Sequence, residues 1–600
     1  MKIPVCLLVF WLNQFFTSGT IILREYGAVR ARNGTMRKTR SVNVPAPIDC
    51  RLTPWSSWSS CGACQTKTFR FRSLEQPSQF GGTECQGSQW DEKFCPAGAA
   101  CPVQNPCGEM FSCEQTGRCI SQHLRCNGEK DCQDGSDEDE CEDVDVRDSK
   151  CSNLFPIPGS ERATRGYNVL TGDFALHVLD PIYYGGICEY VYNGEWRKLT
   201  YDAYCENLYY NDDEKYYRQP YNFHSYRFLA QARAEGSSEY YEDVTSFLNG
   251  RKTLNSYKWG LSVSVTKEGF GGEIGISGSK ESRFLHNISQ YESQDVGVVR
   301  LVSTVQTAQF KMRSRDLVLD ENMQQALMDL PEEYDFGSYA QFLQEYGTHH
   351  ITHGTLGGTL ERVMIVNKEA MRKSEVHSKM VQRCFGLSFK LMLKTDALLD
   401  NPVKGNISFC DKIGSVTKSR GSSSDLIRDG FTLVKGGTEP TTASTNIIED
   451  TSALRKWGKS LKYSPDLIDF ETLPVYELVR LSTAADQART RVAHLKRAWE
   501  EYLQHYSPCR CAPCRNNGVP ALSGTSCSCV CKSGYGGQAC EELQRPDAPK
   551  QDSIDGSWSC WGSWSSSCQS GRKTRRRECN NPKPAGGALC LGNSQQTQPC

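Results

Sequence analysis

Beyond its first sixteen residues the sequence has no run of eighteen apolar residues, the least that a membrane-crossing helix needs. If the chain crosses a bilayer, it must use strands that close their hydrogen bonds on one another. An excess of either charge is also missing. The formal net charge is −1 over 600 residues, which argues against nucleic acid as a partner. The third shortage is local: of thirty cysteines, only five fall between residues 151 and 506, while both ends are crowded with them. Disulfides can organise the ends, but the long middle must build a core of its own.

What is present begins with an export signal. Met1-Lys2, the mostly apolar run 3–16 and the small residues Thr17, Ser18 and Gly19 read as a secretory signal over residues 1–19. Arg37-Lys38-Thr39-Arg40 marks a processing site, so residues 20–40 read as a propeptide and the mature chain starts near Ser41. Export turns the cysteines into disulfides. Without Cys6 twenty-nine remain, an odd number, so one bonds to another chain or stays free.

Four small modules are legible. Residues 48–102 carry six cysteines, Trp55 and Trp58, then Arg70 and Arg72, two apart and so on one face of a strand. Tryptophans and guanidiniums so spaced stack in a ladder, each contact worth about 0.5–2 kcal/mol. The segment resembles a thrombospondin type 1 repeat. A second such repeat covers 554–600, with Trp558, Trp561, Trp564, Lys573, Arg575 and Arg577. The first tryptophan of Trp-x-x-Trp often carries a mannose in that family, so Trp55 is a candidate, and Trp58, Trp558 and Trp561 join it as glycosylation candidates. A small scaffold with exposed aromatics and no ligand fits the same residues. Residues 105–142 hold six cysteines and a dense set of hard oxygens that would repel one another without a cation. Calcium takes six to eight such oxygens. The segment resembles an LDL-receptor class A repeat. That implies a structural Ca2+ on the side chains of Asn127, Asp131, Asp137 and Glu138 and the carbonyls of Leu124 and Glu129; a solvated acidic face is the alternative. Residues 509–541 resemble an EGF-like module with seven cysteines. The five in the last repeat bring the total to twelve, which closes if one bond joins the two modules: Cys509, the spare in the first, pairs with Cys560 in the second.

The middle turns on Tyr346-Gly347-Thr348-His349-His350-Ile351-Thr352-His353, which runs through Gly354-Thr355-Leu356 into Gly357-Gly358 and a strand-like stretch 359–366. His349 and His353, four apart, could serve zinc on a helix, but His350 stands where the metalloprotease pattern needs glutamate. A bend in which Gly357 and Gly358 permit close backbone approach is the better reading. Trp259, Leu261, Val263 and Val265 alternate with small or polar residues, as do Ile274 and Ile276, and then Phe385, Leu387, Phe389, Leu391 and Leu393. A lipid-out, water-in strand requires such a period, although on periodicity alone an ordinary half-buried strand is favoured. Phe284, Leu285, Ile288 and Tyr291, and later Val492, Leu495, Trp499, Tyr502, Leu503 and Tyr506, recur at helical steps. Asn287-Ile-Ser and Asn406-Ile-Ser are glycosylation acceptors.

Tyr-Gly-Thr-His with a spaced glycine pair resembles the defining segment of the membrane attack complex/perforin family, departing from it at His350, where an aromatic is usual. The resemblance covers 151–508. It implies an α+β domain with a bent four-stranded antiparallel sheet and two helical clusters that refold into membrane hairpins. The fold class expected for the whole chain is therefore multidomain α+β, a central perforin-like domain flanked by small disulfide-rich modules.

The odd cysteine falls in this domain. Cys384 and Cys410 bracket the second strand candidate and are taken as a pair, which leaves Cys151, Cys188 and Cys205. Cys205 sits in the polar, tyrosine-rich run 195–217, of a composition favoured at interfaces. It is the expected interchain cysteine, with Cys151 and Cys188 closing on each other; a free thiol, or a Cys188–Cys205 bond that leaves Cys151 spare, is the alternative. Module order and insertion resemble the terminal complement components of the family, one of which binds a small lipocalin-like subunit through such a cysteine. The resemblance implies a secreted, non-enzymatic subunit that joins a sister chain, that small subunit and the other terminal components on a target bilayer. An autonomous pore former and a secreted adhesion protein are the competing readings.

Overall fold

A computed structural model describes residues 45–599 except 60, 62–66, 96–106, 142–153, 171–172, 193–215, 249–279, 292–293, 385–425, 439–456, 459, 462, 485–487, 533, 544–552, 566 and 569. In the large domain the strands are β1 (Arg165–Asn168), β2 (Asp173–His177), β3 (Tyr190–Tyr192), β4 (Tyr216–Arg218), β5 (Phe223–Tyr241), β6 (Val296–Met312), β7 (His349–Asn367), β8 (Ile427–Lys435) and β9 (Asp466–Pro474). The helices are α1 (Lys280–Ser289), α2 (Glu321–Met328), α3 (Phe336–Tyr346), α4 (Lys368–Lys373), α5 (Val475–Leu481) and α6 (Arg489–His505). The α+β class expected from the sequence is what is found.

The main sheet is antiparallel, in the order β5-β6-β7-β1-β2. The expected four strands are β5 to β8, and β1, β2 and β9 extend the same sheet. The far edge of β7 changes partner half-way: residues 349–357 pair with β9, and 359–366 with β8. At the same level the β6 register slips between Gln306 and Ala308, and the β5 register between Phe228 and Arg233. One extra residue in a strand bends it, so the sheet folds along a line through Gly357.

Its two faces are covered differently. On the lower half, Val298, Val363 and Ile365 pack with Phe284, Leu285 and Ile288 of α1. The opposite face, with Val299, Leu301, Leu360 and Met364, packs on Met371, Val381, Leu426, Trp457 and Leu461. The upper half is backed by α5 and α6. Leu495, Ala498, Trp499, Tyr502 and Leu503, at three- and four-residue steps, are buried there, as their spacing predicts.

The N-terminal repeat leans on α3 through Phe71, edge-on to Phe336. It also joins the EGF-like module, where Gln79 Nε2 donates to the Ala512 carbonyl and Gln79 Oε1 accepts the Ala512 N–H. Cys509 and Cys560 are bonded, which ties the last repeat to the chain just beyond α6.

Candidate functional site

The histidine-rich motif forms the start of β7, so His349 and His353 lie on a strand and not on a helix. Gly347, with φ +84°, ends α3; a Cβ there would meet the Tyr167 backbone nitrogen at 2.7 Å. Thr348 is fully buried. Its carbonyl accepts the Val475 N–H that opens α5 (3.0 Å) and the Trp499 indole N–H of α6 (2.9 Å). Its hydroxyl accepts the Val169 N–H at 3.1 Å. The motif thus clamps two helices and two strands at one residue. His349 stacks edge-on to Trp499, and burial holds its imidazole well below the usual range. His350, 2% exposed, is held down to about 4 by burial. His353 is paired with Glu471 at 3.1 Å on the surface. These are structural roles.

At the bend, a Cβ on Gly357 would lie 1.9 Å from the Val305 carbonyl oxygen, and one on Gly358 would lie 2.4 Å from Leu461 Cδ2. At Gly357 a side chain would meet backbone, whereas at Gly358 Leu461 and Trp457 would have to move. The connections β5–β6 (242–295) and β7–β8 (368–426) leave from the same end of the sheet, because the C-terminal ends of β5 and β7 lie beside the N-terminal ends of β6 and β8. The candidate membrane strands belong to these connections. Trp259, Leu261, Val263, Val265, Ile274, Ile276, Phe385, Leu387, Phe389, Leu391 and Leu393 lie outside the described residues, as do Cys151, Cys205, Cys410 and Asn406. Cys188 and Cys384 are disulfide-bonded. Asn287 is exposed on α1.

In the acidic module, hydrogen bonds link Asn127, Asp131, Asp137 and Glu138, four of the six expected ligands. Asp131 and Asp137 are 4% and 0% exposed, and no cationic side chain makes an ion pair with either among the described residues. Asn127 Nδ2 donates to Asp131 Oδ2 (3.0 Å), the Asp131 N–H to Asp137 Oδ2 (2.7 Å), and the Asn127 and Gly128 N–H groups to Glu138. Burial pushes the Asp131 carboxyl up to about 6, and Asp137 and Glu129 add repulsion. Two buried carboxylates this close are costly unless a cation compensates them, so the donor set fits a hard divalent ion. The Cys113 and Cys132 sulfurs near Asp134 are bonded to each other and offer no ligand.

Sequence reasoning missed how this module docks. Arg118 is buried between Asp180 (2.7 Å) and Glu321 (3.0 Å) under the Tyr183 ring, and Arg218 holds Glu129. It also missed Arg300, which bridges Glu361 (2.7 Å) and Glu239 (3.0 Å) across the sheet. No local pattern announces such pairs. The expected ladders are present: Arg70 lies 4.7 Å over both Trp55 and Trp58, and Arg577 lies over Trp558 (4.3 Å) and Trp561 (4.4 Å).

A bent sheet, hairpin connections at one end and a clamped glycine-bearing strand define a class of protein, and comparison agrees. Residues 159–512 match the MAC/Perforin domain, and 105–141 match the low-density lipoprotein receptor domain class A. Residues 514–542 match the EGF-like domain of complement components C8 alpha, C8 beta and C6, and 556–600 the thrombospondin type 1 domain. The chain belongs to the MAC/perforin family. Within it, the chain is 43% identical over 576 residues to the complement component C8 alpha chain of Oryctolagus cuniculus, covering 96% of this chain and 97% of that one. It is 36% identical to the complement component C8 beta chain of Rattus norvegicus (96% and 94% covered). It is 31% identical to complement component C7 of Pongo abelii (93% and 62% covered). The resemblance to terminal complement components expected from the sequence is therefore borne out. Among the described residues, no helix is long and apolar enough to cross a membrane.

Proposed function

We propose that the chain is a secreted, non-enzymatic subunit of the complement membrane attack complex. It joins the assembling terminal complex and inserts two β-hairpins into the target membrane. The observation that carries this reading is topological: both candidate hairpin regions hang from one end of the bent sheet, and helices within them cover the two faces of its lower half. Unfolding those helices would bare strands whose apolar faces gain about 25 cal/mol per Å² on burial in lipid. Pairing of neighbouring edges would satisfy the backbone. Its partners are the beta and gamma subunits of the eighth complement component, the other terminal components and the lipid bilayer, as high identity to the C8 alpha chain supports. Cys205 carries the interchain disulfide to the small gamma subunit; a Cys205→Ser chain should lose that subunit on non-reducing electrophoresis. Calcium binds the acidic module through the side chains of Asn127, Asp131, Asp137 and Glu138 and the carbonyls of Leu124 and Glu129, where it neutralises buried charge and braces the fold.

Reconstitution tests the function. Liposomes exposed to the other purified terminal components should leak only when this chain is added. Leakage caused by the chain alone would instead mark an autonomous pore former, and no binding in any mixture would mark an adhesion protein.

A further inference from the structure

The acidic module and the large domain share a seam with two separate grips. On one side Arg118 sits between Asp180 and Glu321, and the Gln133 N–H also donates to Glu321 at 2.9 Å. On the other, the Glu129 carboxylate takes both guanidinium nitrogens of Arg218, at 2.5 and 2.9 Å. Arg218 ends β4, and its side chain is only 5% exposed. It also donates to the Ile187 carbonyl at 2.9 Å and lies 4.0 Å from the centre of the Tyr184 ring. Next to it, Tyr183 packs on the small core that contains Leu124. A Cβ on Gly186 would come within 2.9 Å of Leu124 Cδ2.

We propose that the module's cation is read by the large domain through this second grip, because Leu124 and Glu129 offer it their carbonyls while their side chains pack on Tyr183 and Gly186 and hold Arg218 of β4. The inference rests on the calcium reading above. An ion on the Glu129 carbonyl fixes the backbone from which its carboxylate reaches Arg218, and a planar, bidentate pair tolerates little displacement. Without the ion, Asp131, Asp137 and Glu138 repel one another and the loop relaxes. Arg218 then loses the partner that compensates its burial, an uncompensated charge of the costly kind. β4 pairs with β3 in register Tyr190↔Arg218, so loosening passes directly to the two strands that flank residues 193–215. The first grip uses none of the calcium ligands. The module stays attached, and the response is confined to one side of the seam.

Hydrogen exchange on the full chain, with calcium and with a chelator, tests this. In the wild type, chelation should speed exchange in 124–138 and also in 184–192 by about five-fold or more, an opening measurable by this method. Residues 180–183 and 318–324, held at the first grip by Arg118, should not respond. Glu129→Gln keeps the carbonyl ligand but weakens the pair, so 124–138 should still respond to the chelator while 184–192 exchanges fast with or without calcium. Arg218→Met should behave alike from the other side of the pair. The proposal is overturned if 184–192 ignores chelation in the wild type while 124–138 responds, or if 184–192 keeps its full response in both variants. If 124–138 itself does not respond, the calcium reading fails first and takes this inference with it.

Discussion

The two halves of β7 are nearly equal in length and have opposite surroundings. From His349 to Gly357 the strand is held by residues far along the chain: β9 beside it, and α5 and α6 donating to the Thr348 carbonyl. From Gly358 to Asn367 it is buried almost without interruption, yet much of what covers it belongs to the two connections that begin and end at that level. The lesson is a division of labour within one strand. The upper half is fastened to the scaffold, and the lower half is wrapped in segments that can leave together. A transition that sheds α1 and the stretch around α4 would bare the lower sheet without touching the Thr348 clamp.

The comparison breaks most severely at the boundary. Gly357→Val would drive its Cβ into the Val305 carbonyl, a backbone atom that cannot step aside. Destabilisation should reach about 3 kcal/mol or more, seen as lost secretion or a large fall in Tm. Normal secretion with unchanged Tm would mean that the junction is not closely packed. Next come the connections themselves. Val263→Asp or Phe389→Asp should leave secretion intact and reduce lysis about ten-fold, because a charge on a lipid-facing strand costs on the order of 1–3 kcal/mol. If both variants lyse normally, these residues do not face lipid.

Above the bend the effects should be smaller. Trp499→Phe keeps a ring beside His349 but removes the indole N–H from the Thr348 carbonyl, which retains Val475. The loss should be about 1 kcal/mol, a Tm drop of a few degrees. Exchange in 359–366 should stay unchanged, and acceleration there would erase the distinction between the halves. The mildest test is pH. His350 is held neutral in the folded chain to about pH 4, while an unfolded histidine protonates near 6.5. The folded state therefore binds fewer protons, and stability is lost as pH falls below 6.5, by roughly 1 kcal/mol at pH 6. His350→Phe should flatten the decline of Tm between pH 7 and 5.5; an identical profile would show that another group dominates.

Legibility in the sequence followed the range of the interaction. The Gly357-Gly358 pair announced a bend, and the bend lies there, because a glycine's permission is local. The Arg70 and Arg577 stacks followed from a two-residue step, and the α6 face from three- and four-residue steps. The steps from Val492 to Tyr506 marked α6, but no periodicity marked α5, the short helix before it. The histidines were read as part of a structural bend and not as a metal site, and His349 and His350 do serve packing.

By itself the sequence determined the module order, the class of the large domain, the density of acidic residues in 105–142 and the parity of the cysteines. Those rest on counts, spacings and short periods that survive in one dimension. Only the tertiary structure decided that Thr348 would meet Trp499, 151 residues on, that Arg118 would meet Glu321 across 203, and that Glu129 would meet Arg218 across 89. Such pairs carry no period. Each partner is an ordinary polar residue until folding removes water from around it, and only then does its one compensating neighbour matter.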